Sequence, residues 1–236
     1  MKSTWQKFQV RYSSSPSSKR WIARQDRDQF VKKALSQNYR ARSAFKLLEL
    51  DQKYNFIKPG SVFIDCGAAP GGWSQVVSRK VLPEFDTTTE EIKDFETKLN
   101  GNLIIAVDLL TIEPIPGVNV IQGDFTHIST QQKVKELLKE READVILSDM
   151  APNFSGQRFI DHVKSMELCE FSLNFAERVL KSGGTFLCKF LMGESDHEFR
   201  NNLKTKFDIV RHEKPQAVRK KSTEGYFMCL GYKKNK

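Results

Sequence analysis

Short continuous apolar runs alternate with stretches of helical periodicity along this chain, and that alternation predicts its architecture. Two helices are expected first, over Arg27–Leu35 and Ala41–Leu50, the second carrying Ala44, Phe45, Leu47, Leu48 and Leu50 on a broad apolar face. Lys58-Pro59-Gly60 then breaks the chain. Strands are expected at Val62–Cys66, Leu103–Val107, Val118–Gln122, Asp144–Ser148 and Thr185–Leu191. Helices fall at Trp73–Val81, Thr130–Glu140 and about His162–Leu180, and a last one at Glu198–Lys206 precedes strands Asp208–His212 and Tyr226–Tyr232. This pattern predicts an α/β fold: a doubly wound, mostly parallel seven-stranded sheet with helices on both faces. Ending on two successive strands lets one of them run antiparallel.

Two segments stand outside the pattern. Pro83–Gly101 is dominated by Glu84, Asp86, Thr87, Thr88, Thr89, Glu90, Glu91, Asp94 and Glu96, and is expected to be a surface insertion at 83–101. Residues 1–25 hold six Lys/Arg, six Ser and no acid, with Trp5, Phe8, Val10 and Tyr12 as apolar surface. That is the chemistry of a mitochondrial presequence able to form a basic amphipathic helix, without the continuous apolar core of a secretory signal. A basic RNA-binding arm is the other reading. The remainder, 26–236, is expected to be one domain.

Charge adds a direction. Residues 1–50 carry 12 Lys/Arg against 3 Asp/Glu, residues 211–236 carry 8 against 2, and residues 51–210 carry 18 against 24. A polyanion would therefore be gripped by the two ends of the chain rather than by its body. No apolar run approaches the ~18 residues that a membrane helix needs. Cys66, Cys169, Cys188 and Cys229 form no CxxC pair, and His127, His162, His197 and His212 no ligand-spaced pair, so neither a disulfide scaffold nor a metal is expected. A monomer is expected.

The most specific stretch is Phe63-Ile64-Asp65-Cys66-Gly67-Ala68-Ala69-Pro70-Gly71-Gly72-Trp73-Ser74. An apolar strand runs into glycines, which let a ligand touch backbone, and then into a helix start. A pyrophosphate-binding loop would want GxGxxG, whereas a proline interrupts this one, which disfavours a nicotinamide oxidoreductase. A ligand with an amino-acid head and an adenosine suits it better, with Asp65 ordering the loop. Asp108, at the end of the second strand, is placed to accept both ribose hydroxyls. Asp124 and Phe125, after the third, are placed to bracket an adenine amino group and face. Carboxylates at successive strand ends describe an S-adenosylmethionine pocket. Two further ionisable groups sit where apolar strands leave little solvent face. Asp149 ends Val145-Ile146-Leu147-Ser148, and Lys189 interrupts Phe186-Leu187-Cys188-Lys189-Phe190-Leu191, a costly place for an unpaired charge.

After the N-terminal segment the chain resembles the FtsJ-like ribose 2'-O-methyltransferases. The resemblance rests on Tyr39–Leu47, Asp65–Ser74, Val107–Leu110, Gly123–Phe125, Leu147–Asn153, Gly183–Lys189 and Arg219–Tyr226. It implies a class I, Rossmann-like fold that uses S-adenosylmethionine, with cofactor positions at Gly67, Pro70, Gly71, Gly72, Trp73, Asp108, Asp124 and Asp149. It also implies a Lys-Asp-Lys-Glu set around the methyl group, falling on Lys46, Asp149, Lys189 and Glu224. The expected reaction is in-line attack of a ribose 2'-oxygen on the sulfonium methyl, leaving S-adenosylhomocysteine, with Lys189 as base. Asp149 would orient that amine, and Lys46 and Glu224 would orient the ribose and its phosphate. Arg40, Arg42 and Lys46 on one side and Arg219, Lys220 and Lys221 on the other are expected to hold RNA. The N-terminal segment and the acidic insertion most resemble the mitochondrial branch of the family, which modifies a uridine in large-subunit ribosomal RNA. That implies the mitochondrial matrix and a ribosomal RNA partner, within a large-subunit particle. Alternatives are a tRNA or mRNA-cap substrate, or a non-catalytic RNA-binding assembly factor.

Overall fold

The structure, a computed structural model, describes residues 27–83 and 99–234. The presequence reading of 1–25 and most of the 83–101 insertion lie outside the described residues. The elements in chain order are α1 (Gln29–Ser36), α2 (Ala44–Tyr54), β1 (Val62–Cys66), α3 (Gly72–Val81), β2 (Leu103–Asp108), β3 (Val118–Gln122) and α4 (Ile128–Leu138). They continue with β4 (Ala143–Ser148), α5 (Arg158–Val179), β5 (Leu180–Leu191), α6 (Asp196–Lys206), β6 (Phe207–Glu213) and β7 (Glu224–Tyr232).

The expected elements all form, with shifted ends. α2 starts at Ala44 rather than Ala41, because Ala41-Arg42-Ser43 closes a tighter turn in which their carbonyls accept from Ala44, Phe45 and Lys46. It stops at Asn55, whose φ of 50° is left-handed and whose N–H returns to Asp51 O. β5 begins at Leu180, five residues early, because Leu180 already pairs with Ala143 before the register shifts at Val145.

The seven strands lie in the order β3-β2-β1-β4-β5-β7-β6. All neighbours are parallel except β7, which inserts antiparallel between β5 and β6. The chain therefore reverses its winding between β1 and β4. In an open sheet of this kind ligands bind at the carboxyl ends of the strands beside that switch point. Each face of the sheet is buried. Ile64, Ile146, Phe186, Phe190 and Phe227 pack with Met166, Leu173 and Phe175 of α5 on one side. Phe63, Leu147, Leu187, Tyr226 and Met228 pack with Leu47 of α2 and Trp73 and Val77 of α3 on the other. No helix among the described residues is long and apolar enough to cross a membrane.

Candidate active site

Side chains alternate faces along a strand, so residues two apart share one. Continuing the Val145, Leu147 face past the end of β4 leads to Asp149. The Leu187 face of β5 leads to Lys189, and the Met228 face of β7 leads back to Tyr226 and Glu224. Antiparallel register sets Lys189 opposite Tyr226 and Leu191 opposite Glu224. Lys46 comes down from α2 onto the same side.

The result is one connected chain of polar groups. Lys46 Nζ donates to Glu224 Oε1. Tyr226, fully buried, has its hydroxyl against Glu224 Oε1 and 3.0 Å from Asp149 Oδ1. Its single proton serves one of the two carboxylates at a time. Lys189 Nζ lies 3.0 Å from Asp149 Oδ1 and also donates to the Asp149 carbonyl. The lysine and aspartate side chains are only 12% and 17% exposed. Two cations thus face two carboxylates, and none of the four largely buried charges lacks an opposite partner.

These neighbours divide the chemistry. Burial alone would raise the Asp149 carboxyl, but the charges of Lys189 and then Lys46, with hydrogen bonds from Lys189 and Tyr226, hold it below its ordinary value. Asp149 is therefore a fixed counterion and a poor base. Burial, reinforced by the negative charges of Asp149 and Glu224, pushes the Tyr226 phenol well above its usual range, so it remains a hydrogen-bond donor. The Lys-Asp-Lys-Glu set expected from sequence is brought together, and the structure adds Tyr226, which links its two acids. A signal for Tyr226 existed: it stands two residues after Glu224 on one strand face.

The glycine loop lies beside this cluster. Gly67 and Ala68 donate to Val107 O, and Asp149 N donates to Cys66 O, tying the ends of β1, β2 and β4 together. A Cβ on Gly67, at φ +75°, would stand 2.6 Å from Met150 Cγ, so only glycine fits between loop and strand end. Asp108 accepts from Ala69 N and Leu110 N, both at 2.8 Å, bracing the loop while keeping lone pairs for hydroxyl groups. Asp124 accepts from Thr126 through its hydroxyl and its amide, which hold it below the ordinary carboxylate range. Among the described residues its other oxygen has only His127, at 3.8 Å. Asp65 lies beneath the loop. Its Oδ2 takes the Ser74 hydroxyl at 2.6 Å and its buried Oδ1 has no hydrogen-bond partner among the described residues. Burial pushes its carboxyl up to about 7, with the negative charges of Asp149 and Asp108 adding to the effect against the Ser74 bond. A glycine cradle, a row of strand-end carboxylates and an orphaned buried oxygen fit a ligand with an ammonium group, a ribose and an adenine.

Several expectations need correcting. Phe125 does not present a ring to an adenine. The ring is buried in the core, edge-on to Phe175 at 5.0 Å, because an apolar ring next to Asp124 turns inward where the carboxylate turns out. The Trp73 side chain is equally unavailable, since its indole N–H donates to Ser43 O and its ring packs on Tyr226. Only its backbone, in the first turn of α3, remains for a ligand. Arg40 is not an open RNA contact. It donates to Pro70 O at 3.4 Å, Pro114 O at 2.6 Å and Glu113 O, clamping the cofactor loop. Arg42 and Arg219 converge on Asp28 Oδ2, the N-cap of α1, and Arg42 also donates to Ala217 O. Guanidiniums that give their donors to the fold's own carbonyls and to Asp28 act as fasteners at its surface. Lys220 and Lys221 remain exposed. No group of three His, Cys, Asp or Glu among the described residues is arranged to hold a metal.

Comparison with known proteins agrees with this geometry. The model of the FtsJ-like methyltransferases matches residues 39–232. The ribosomal RNA large subunit methyltransferase E of Parvibaculum lavamentivorans is 44% identical over 219 residues, 93% of this chain and 83% of that one. Its namesake from the Wolbachia of Brugia malayi is 41% identical over 93% of this chain and 91% of its own. Among solved structures, one from Plasmodium falciparum described as a ribosomal RNA methyltransferase superposes with a TM-score of 0.69 at 32% identity, covering 82% of this chain and 98% of its own.

Proposed function

This chain belongs to the FtsJ-like methyltransferases and uses S-adenosylmethionine, and from that premise we propose that it methylates a ribose 2'-hydroxyl, on a uridine of large-subunit ribosomal RNA, in mitochondria. The observation that carries the reading is the Lys189 amine held 3.0 Å from Asp149 at the switch point, beside the glycine loop. When bound, S-adenosylmethionine supplies a methyl group activated by its positive sulfur. Gly67, Gly71, Gly72, Asp108, Asp124 and the orphaned Asp65 oxygen would hold it.

The protein's own work is positioning and removal of a proton. Lys189, in its neutral form, accepts the 2'-hydroxyl proton at Nζ, and the ammonium so formed faces Asp149 at once. Tyr226 lies between Asp149 and Glu224 and donates its one proton to either, while the charges of Lys189 and Lys46 keep Asp149 in place as the counterion. Lys46, pinned by Glu224, offers a positive charge on the same side for the phosphate next to the target ribose. The names of the relatives support ribosomal RNA as substrate. The basic, acid-free residues 1–25 support import into mitochondria.

Labelled methyl transfer to deproteinised ribosomal RNA, intact large subunits and tRNA tests the reading. Transfer is expected only to the first two, at one nucleotide that becomes resistant to alkaline cleavage on its 3' side. Label on a base, or transfer to tRNA alone, overturns it. Imaging the tagged full chain with and without residues 1–25 tests the location. Mitochondrial signal that is unchanged by the deletion removes the address from that segment.

A further inference from the structure

Phe154 and Phe159 are 67% and 70% exposed, more than any other aromatic side chain among the described residues. Leaving such a ring in water forgoes about 1.5–3 kcal/mol of burial free energy. Neither ring stacks on another among the described residues. Both belong to the segment that leaves Asp149 and enters α5. That segment begins against the cofactor loop, since Met150 is the residue that a Cβ on Gly67 would strike.

The backbone carrying the rings is held in place. Asp161, itself buried, accepts from Ser155 N at 2.6 Å, Ser155 Oγ at 2.7 Å and Gly156 N at 3.2 Å. Phe154 directly precedes this clamp and Phe159 lies in the first turn of α5, so both rings ride on fixed main chain. The surroundings indicate what they meet. From Met150 to Ile160 there is no acid and one base, Arg158, and Asn153, just before the first ring, and Ser155 and Gln157, between the two, are exposed. Isolated aromatic faces among neutral hydrogen-bonding groups do not make the contiguous apolar patch that a protein partner buries. They do match a single-stranded polyanion with flat bases, which stack on aromatic side chains whatever their sequence.

We infer that Phe154 and Phe159 are positioning residues that stack unpaired bases flanking the target ribose, holding the strand so that its 2'-hydroxyl reaches Lys189. The inference rests on the proposed RNA substrate and deepens it. Its test is binding of a fluorescein-labelled uridine octamer, and of the same octamer with abasic sugars, measured by anisotropy. The wild-type protein is expected to prefer the octamer with bases. Phe154→Ala and Phe159→Ala should each weaken it about fivefold, equivalent to about 1 kcal/mol, without weakening the abasic strand. Phe154→Trp should restore the preference. The salt dependence should not change, because no phosphate contact is lost, and calorimetric binding of S-adenosylmethionine should be unchanged. Equal wild-type affinity for the two octamers, or an alanine loss that persists on the abasic strand, overturns the inference. Binding needs no turnover, so absence of methyl transfer to any RNA would sink the proposed function while leaving this comparison readable.

Discussion

Replacing Lys189 by Met removes the amine and keeps most of the side-chain volume. The ammonium sits 3.0 Å from Asp149, with both side chains more than four-fifths buried. Removing one partner of a fully buried pair costs ~3–5 kcal/mol. Here Lys46 and the Tyr226 hydroxyl still face Asp149, so a loss of ~1–3 kcal/mol in urea unfolding is expected. Methyl transfer should fall further, by the ~10²–10⁴-fold that a positioned base contributes, while calorimetric binding of S-adenosylmethionine survives. The pH dependence has a definite sign. A carboxyl held below its unfolded value stabilises the fold above that value, near 4, and loses the contribution as pH falls through its folded value. Lys189→Met weakens what holds Asp149 down, so the variant should lose less stability on acidification than the parent. Adding Asp149→Asn should recover stability without recovering activity, because the stranded charge is gone and the base is still missing. Turnover within tenfold of wild type in Lys189→Met would refute the assignment of the base. A double variant no more stable than the single would refute the electrostatic reasoning.

Asp65 behaves in the opposite sense. With its carboxyl raised to about 7, the folded protein keeps a proton that the unfolded chain releases near 4, so stability should decline as pH rises from about 4 to about 7, by on the order of 4 kcal/mol. Asp65→Asn should flatten that decline in thermal melts taken across the range, and an unchanged slope would show that the carboxyl is not the group responsible. Phe125→Ala, which opens a hole against Phe175, is expected to cost ~3–5 kcal/mol of stability. Its affinity for S-adenosylmethionine, measured well below the melting temperature, should change less than twofold; a tenfold loss would return the ring to the adenine site. Arg219→Ala should lower the melting temperature, since Asp28 loses a partner. Lys220→Ala with Lys221→Ala should leave melting unchanged and reduce the slope of log K against log salt for RNA by about 2. Reversal of the two outcomes would exchange the roles assigned to these residues.

Local pattern was enough for the elements, because the periodicity that makes Val62–Cys66 a strand or Trp73–Val81 a helix is written in adjacent residues. It was also enough for the glycine loop, whose small residues stand in one unbroken string, and for Lys189, since an amine within an apolar strand is anomalous wherever the strand lies. The resemblance to a known family added Lys46 and Glu224, which local pattern leaves ordinary. Partnership is different, because it depends on register between segments far apart in the chain. Tyr226 joins Asp149 to Glu224 only because β7 enters the sheet antiparallel between β5 and β6, setting it opposite Lys189. The same holds for charge. Arg40, Arg42 and Arg219 read as open cations in sequence, yet packing gives their donors to Pro114 O, Asp28 and Ala217 O. A side chain's type is local, whereas its neighbours are chosen by the fold, and desolvation makes a buried donor or acceptor take whichever partner packing supplies.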